Sequence, residues 1–170
     1  MNRKLYTVFF TFLIIASLLG CEKKEEYPPE PVIAFHSFSK IDNGTGIDDQ
    51  GILSISFTDG DGDIGLKTED TLPPFNYNSP YYYNIYIDYY EKKNGVFEKI
   101  DLPISNNSRI PYIDADLPEK GIKGIIEVEL YINNILSNYD TIKFSAFIYD
   151  RSLNQSNVIE TPEIIINKTP

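Results

Sequence analysis

Residues 81–100 read YYYNIYIDYYEKKNGVFEKI, and this stretch decides the fold class. Asn94-Gly95 favours the two-residue turn of a β-hairpin, because both residue types tolerate positive φ angles. The runs on either side are rich in tyrosine and β-branched residues, which suit strands. We therefore predict one strand over residues 81–92 and a second over residues 96–100, joined by this turn.

The same pattern of short runs with period two continues on both sides of the hairpin. Clusters of Gly, Asn, Asp and Pro separate the runs, and none of them has the periodicity of a helix of useful length. The further strands that we predict cover residues 31–40, 51–58, 124–131, 141–150 and 158–166. About seven to eight short antiparallel strands predict a single all-β domain, an immunoglobulin-like or fibronectin type III-like β-sandwich. An up-and-down barrel is the main alternative.

Length and charge limit the classes of partner. The chain has 170 residues, which is enough for one domain with its own core. It carries 25 acidic and 15 basic residues, for a formal net charge of −10. Because such a surface repels phosphate backbones, we expect no nucleic-acid partner. The chain has one cysteine, Cys21, so no disulfide is available within it.

The N-terminal residues have the composition of an export signal. Arg3 and Lys4 precede an apolar run of about a dozen residues, too short for the roughly 20 that a spanning helix needs. Leu18-Leu19-Gly20-Cys21 resembles the lipobox of bacterial lipoproteins, in which the cysteine is acylated and becomes the new amino terminus. The resemblance implies a lipid anchor on Cys21 and attachment to a membrane through it. An ordinary signal peptide with an incidental cysteine is the alternative.

The residues after Cys21 indicate a tether and a cellular location. Lys24-Glu25-Glu26 is similar to a short signal that sends lipoproteins of Bacteroidota-type bacteria to the cell surface. It implies a place in the outer membrane with the domain facing the cell exterior. Pro28-Pro29-Glu30-Pro31 favours a semi-rigid extended spacer. We divide the chain into a signal peptide (1–20), a lipidated, acidic and proline-rich tether (21–31) and a sandwich domain (32–168).

One loop has the composition of a cation site. Residues 57–65 read FTDGDGDIG, and the carboxylates of Asp59, Asp61 and Asp63 alternate with glycines that let the backbone wrap around a hard ion. In an immunoglobulin-like sandwich this loop and the loop after residue 150 lie at the same end, so we expect Asp150 and Asn154 to join it. The predicted ion is calcium. The alternative is that Asp and Gly only form tight turns here.

Two resemblances extend this prediction. The stretch 57–65 resembles a Phe-x-Asp-x-Asp-Gly-Asp-Ile-Gly signature of small surface lipoproteins of Bacteroidota, whose role is itself unknown. Residues 146–157 resemble the sixth strand and the following turn of bacterial immunoglobulin-like modules, although Leu153 stands where those modules often have Gly. Together the two resemblances imply a cellular location and a fold, but they imply no activity.

A tyrosine-rich segment offers a second candidate site. The chain has 13 tyrosines, and on the strand predicted over residues 81–92 Tyr82, Tyr86 and Tyr90 would share a face with Asn84 and Asp88. Rings mixed with amides and acids suit a sugar-binding or peptide-binding platform. The alternative is that these tyrosines only cover the sandwich, since tyrosine is a good strand former.

No catalytic set emerges from the sequence. His36 is the only histidine, so zinc sites and Ser-His-Asp or Cys-His machinery lack the residues that they need. We therefore expect a non-enzymatic, lipid-anchored lipoprotein of the cell envelope, a binding or structural module stabilised by calcium. The alternative function is an accessory lipoprotein that binds glycans through the tyrosine face. In either case the expected partner is a protein or glycan at the cell surface.

Overall fold

The structure, a computed structural model, describes residues 26–114 and 121–168, and the regular elements in this part of the chain are all β-strands. The all-β prediction is confirmed. The strands are β1 (Val32–Lys40), β2 (Gln50–Asp59), β3 (Ile85–Lys93), β4 (Val96–Ile100), β5 (Ile122–Tyr131), β6 (Thr141–Ile148), β7 (Ile159–Glu160) and β8 (Ile164–Ile165). Over the described residues, no helix is long and apolar enough to cross a membrane.

The strands form two antiparallel sheets. One has the order β1-β2-β5, and the other has the order β4-β3-β6-β7, with β8 also pairing with β6. The chain therefore passes from one sheet to the other after β2, after β4 and after β5, instead of closing one sheet. This arrangement corresponds to a β-sandwich.

The core explains the period-two pattern. Leu53, Ile55 and Phe57 of β2 are buried, and they face buried residues of the second sheet such as Ile85 and Phe144. Alternate residues of a strand point to opposite faces, so one face of each sheet supplies one continuous apolar cluster. Burying a side chain of this size stabilises the fold by about 1.5–3 kcal/mol.

The β3–β4 hairpin forms as predicted. Asn94 and Gly95 both have positive φ angles, 51° and 85°, and Lys93 pairs with Val96 across the turn. These angles match the turn that suits the right-handed twist of paired strands.

The strand predicted from residue 81 begins later, at Ile85. The backbone N–H of Tyr82 donates to the carbonyl of Ser79 (3.1 Å), which closes a turn where the strand was predicted to start. Tyr82 therefore does not lie on β3.

The strand predicted over residues 158–166 is divided into β7 and β8. Pro162 lies between them and has no N–H to donate. Thr161 bridges the break, because its N–H donates to the carbonyl of Phe144 (2.9 Å) and its hydroxyl accepts the N–H of Phe144 (3.0 Å).

Candidate metal centre

Four aspartates meet at one end of the sandwich. Asp59 is the last residue of β2, Asp61 and Asp63 follow in the loop, and Asp150 lies just beyond β6. One carboxylate oxygen from each residue lies within 4.8 Å of the others. The predicted convergence of the two loops is therefore present.

Strand alternation carries two of these carboxylates inward. Asp59 follows the inward-facing Phe57 by two positions, and Asp150 follows the inward-facing Ile148 by two. Both aspartates are buried, with exposed fractions of 0% and 1%. Gly62, at φ 70°, lets the loop turn back so that the other two carboxylates point to the same place.

Hydrogen bonds hold the carboxylates in position. The N–H of Asp63 donates to Oδ2 of Asp59 (2.8 Å), and the N–H and hydroxyl of Ser152 donate to Oδ2 of Asp63 (3.0 and 2.7 Å). The β6–β7 turn is thus attached to the loop after β2. Ser152 was not predicted from the sequence, because a serine in a turn gives no signal of a distant partner.

Three oxygens are left without partners. The Oδ1 atoms of Asp59, Asp61 and Asp63 are buried, and none receives a hydrogen bond from the described residues. Buried carboxylate oxygens are normally hydrogen-bonded or bound to a cation, since an unpaired one loses its hydration without compensation. The three unpaired atoms therefore favour a cation at this place over turn formation alone.

The electrostatics of the cluster agree with this geometry. Burial and then the neighbouring charge of Asp61 raise the pKa of Asp59 to about 7. Burial also raises the pKa of Asp150, although the hydrogen bonds from Asn154 act against this shift. The fold therefore holds these carboxylates in a place where their charged form is unfavourable without a cation.

The nearest arginine does not neutralise the cluster. The Arg151 guanidinium donates to the carbonyl oxygens of Ile64 and Gly65 (3.2 Å each) and lies over the ring of Tyr112, 4.6 Å from its centroid. The hydrogen bonds of this guanidinium go to backbone oxygens, so Arg151 stabilises the acidic loop (residues 57–65) without pairing with its carboxylates.

Asn154 lies beside Asp150 and contacts its carboxylate through hydrogen-bond donors. Its backbone N–H donates to Oδ1 of Asp150 (2.7 Å) and its side-chain amide N–H donates to Oδ2 (2.8 Å). In this arrangement Asn154 orients Asp150 and presents donors, not a ligand oxygen, to the carboxylate.

The ligand geometry fits a divalent cation. Oxygens that bind one calcium ion at about 2.4 Å lie at most about 4.8 Å apart, and the four carboxylates meet this limit. The donors are all oxygens, which hard cations prefer. The cluster of Asp59, Asp61, Asp63 and Asp150 can therefore hold a metal ion.

The tyrosine site is only partly assembled. Tyr86 and Tyr90 lie on the outward face of β3, as predicted, but Tyr82 lies in the preceding turn, and Asn84 is buried. The Tyr86 ring stacks on Phe147 at 5.2 Å, and its hydroxyl donates to the carbonyl of Pro80 (2.6 Å).

The other rings also have partners within the chain. Tyr82 contacts Tyr77 and Tyr83 edge to face, and Lys143 Nζ lies 5.3 Å from the ring centroid of Tyr90. These contacts favour the packing interpretation of the tyrosines.

The N-terminal segment contacts the end of the sandwich that carries Asp59, Asp61, Asp63 and Asp150, which we call the metal end. The N–H of Gly60 donates to the carbonyl of Pro28 (2.8 Å), and Pro31 is buried. A Cβ on Gly60 would lie 2.3 Å from the carbonyl oxygen of Tyr27. The end of the predicted tether is therefore attached beside the acidic loop, whereas Cys21 and the predicted signal peptide lie outside the described residues.

Comparisons with known protein families, with curated proteins and with solved structures gave no match for this chain. The site must therefore be interpreted from its own chemistry.

Proposed function

We propose that this chain is a calcium-stabilised, non-catalytic β-sandwich module of the immunoglobulin-like or fibronectin type III-like class, anchored to the cell envelope by a lipid on Cys21. The observation that carries the calcium proposal is the set of three buried, unpartnered Oδ1 atoms of Asp59, Asp61 and Asp63. They converge with Asp150 from a second loop. An ion there would join two loops that are distant in sequence and stiffen that end of the domain.

The donor set favours calcium over other common ions. The cluster contains neither cysteine nor histidine, which zinc sites commonly use. Magnesium prefers near-ideal octahedral geometry and keeps several waters, whereas calcium accepts six to eight oxygens in flexible geometry. Backbone carbonyls or waters would complete the coordination sphere around four carboxylates.

The proposed anchor fits the way in which the chain enters the domain. Five residues lie between Cys21 and Tyr27, which lies beside the acidic loop, and the six residue-to-residue steps reach about 20 Å at most. A lipid on Cys21 would then place the metal end of the sandwich near the membrane, with the domain at the outer surface.

The alternative, a glycan-binding lipoprotein, has less support. The rings of Tyr82, Tyr86 and Tyr90 already contact neighbouring side chains, as described above. A pull-down with surface polysaccharides tests it: retention that is lost in Tyr86→Ala and Tyr90→Ala would favour the glycan function.

The calcium proposal is tested by thermal unfolding of residues 22–170, which contain all eight described strands, after purification with chelator. Calcium is added from micromolar to several millimolar, and magnesium is the parallel series. Extracellular sites commonly bind calcium at roughly 0.1–1 mM, and 100 times the dissociation constant adds about 2.7 kcal/mol of stability. The midpoint should therefore rise by several degrees.

Matched variants make this test specific to the site. Asp61→Asn should abolish the calcium-dependent rise, whereas Asp101→Asn, at an exposed position beyond β4, should leave it intact. A midpoint that does not change with calcium would contradict the proposal and leave only turn formation for the acidic loop. For the anchor, Cys21→Ser in the full chain should release the protein from the membrane fraction.

A further inference from the structure

The β5 strand is an open sheet edge. It spans Ile122–Tyr131, ten residues, and pairs only with β2. Within residues 26–114 and 121–168, no strand pairs with its second side. Long edges of this kind are ready-made templates for a strand from another chain.

The hydrogen bonds at its end show which backbone groups face outward. The N–H of Ile132 donates to the carbonyl of Asp49 on the β2 side (3.0 Å), whereas the N–H and carbonyl of Tyr131 bond to the side chain of Asn106 (3.0 and 3.1 Å). These directions alternate along an antiparallel strand. The backbone groups of residues 125, 127 and 129 therefore point away from β2.

The other edges of the two sheets are protected. The side chain of Asn157 bonds to the N–H and carbonyl of Ile33 on the edge strand β1 (2.9 and 2.8 Å), and β1 is also bulged between Phe35 and Ser37. The edge strand β4 has five residues, and β7 and β8 have two each. Short, bulged or covered edges resist added strands. Among the described edges, β5 is long and lacks such a device along its middle.

The side chains along this edge indicate what it would bind. Ile125 is 52% exposed, and it borders a shallow groove of about 390 Å³ that Val32 and Ala34 also line. Glu127 and Glu129, two and four positions further along, are exposed, and they accept hydrogen bonds from the neutral side chains of Ser54 and Gln50 on β2. Neither glutamate forms an ion pair with a described residue.

We propose that the β5 edge binds an extended segment of a different protein as an added strand. The segment carries an apolar side chain beside Ile125 and basic side chains beside Glu127 and Glu129. Main-chain hydrogen bonds to residues 125, 127 and 129 supply the affinity, and the alternate side chains supply the specificity. The metal site plays no part in this proposal.

A second copy of this chain is a poor occupant of the same edge in the register centred on Glu127, whereas a register that places Lys123 opposite Glu129 would pair unlike charges and is tested by self-association. Two β5 edges paired about a two-fold axis at Glu127 would place Glu127 opposite Glu127 and Glu129 opposite Ile125. Four carboxylates would then crowd one patch, and like charges directly opposite each other are destabilising. Glu127 and Glu129 therefore favour a strand that carries basic side chains at the two positions beside them.

The probe is a fluorescein-labelled ten-residue peptide with valine, arginine and arginine at alternate positions and threonine between them. Its binding to residues 22–170 is followed by fluorescence anisotropy, with a control peptide of the same composition in which the arginines are adjacent. We expect saturable binding of the alternating peptide only. Absence of binding up to millimolar peptide would overturn the proposal.

Variants of β5 test the mode of binding. Ile125→Pro removes an outward N–H but no hydrogen bond to β2, and it should weaken peptide binding about tenfold. Ile125→Val keeps the N–H and should bind as the parent does. Replacing Glu127 and Glu129 by Lys should transfer binding to a peptide with glutamates in place of the arginines. Equal affinity in the parent, Ile125→Pro and the charge-reversed protein would refute the edge as the site.

Amide hydrogen exchange supplies a readout that does not depend on affinity. In the free protein the amides of Ile125, Glu127 and Glu129 should exchange fast, and the alternating peptide should protect them. Protection in the free monomer would show that the edge is already covered and would refute the proposal. Self-association that Ile125→Pro abolishes would assign the edge to a second copy and would also refute it.

Discussion

Replacing Gly60 by alanine should detach the N-terminal segment from the metal end. A Cβ at this position would lie 2.3 Å from the carbonyl oxygen of Tyr27 and 2.6 Å from that of Pro28. Both contacts are with backbone atoms, which no side-chain rotation can move. The segment must therefore leave its position, or the acidic loop must deform.

The expected loss of stability follows from the contacts that would break. The hydrogen bond between the Gly60 N–H and the Pro28 carbonyl, 2.8 Å long, contributes about 1 kcal/mol net. The half-buried ring of Tyr27 lies beside Gly121, and exposing part of it costs roughly another 1 kcal/mol. We expect Gly60→Ala to lower the free energy of unfolding by about 2 kcal/mol.

Urea unfolding followed by circular dichroism measures this loss. With a slope of about 1–3 kcal/mol per molar urea, the midpoint should fall by roughly 1 M. The control is the same substitution in a chain that begins at residue 31, which lacks Tyr27 and Pro28. There the substitution should change the free energy of unfolding by less than about 0.5 kcal/mol. An equal loss in both chains would show that the segment does not contribute and would refute the reasoning.

Three further predictions concern single groups. The metal-free chain should lose stability as the pH rises from about 4 to about 7, because the folded state holds the Asp59 proton more tightly than the unfolded chain does. Urea unfolding should show this slope; saturating calcium should remove it, and Asp59→Asn should reduce it, since burial also raises the pKa of Asp150. Glu91→Gln should lower the free energy of unfolding by about 2 kcal/mol, because Glu91 is 1% exposed and accepts hydrogen bonds from Asn134 and Ser137 (2.9 and 2.8 Å). An unchanged midpoint of urea unfolding would contradict this prediction. Leu153 has a φ angle of 68°, which is strained for a residue with a side chain, so Leu153→Gly should stabilise the fold by about 1 kcal/mol and raise the melting midpoint. A lower midpoint would show that the packing of the Leu153 side chain outweighs this strain.

The sequence predicts those parts of the fold that local chemistry determines. The turn at Asn94 and Gly95 needs two positive φ angles, and both residue types tolerate them, so its position is predicted correctly. The convergence of Asp150 with the loop after β2 was predicted from the topology of a sandwich, which requires only the correct order of strands. The first prediction rests on a local pattern, and the second rests on the connectivity of the sandwich architecture that the pattern of strands suggested.

Features that depend on tertiary contacts are not predicted. The bulge in β1 between Phe35 and Ser37 brings Phe38 to the core side, where its ring packs 6.1 Å from that of Phe144, although strict alternation would point it outward. The attachment of Pro28 to Gly60 was missed for the same reason, since an acidic, proline-rich run has the composition of a free spacer. In both cases a partner distant in sequence decides the conformation.

The position of the N-terminal segment bears on where a partner can approach. In the proposed anchored protein, Cys21 would lie within about 20 Å of Tyr27, so the loops at the metal end would face the membrane and leave little room for a large partner. The strand β5 begins beside Asp59, its pairing partner at Ile122, and runs to the opposite end of the sandwich at Tyr131. In the anchored protein its open edge would therefore extend away from the membrane, along the side of the domain. This geometry gives the two proposed features separate roles, since calcium would stiffen the end that receives the tether and the β5 edge would remain accessible for recognition.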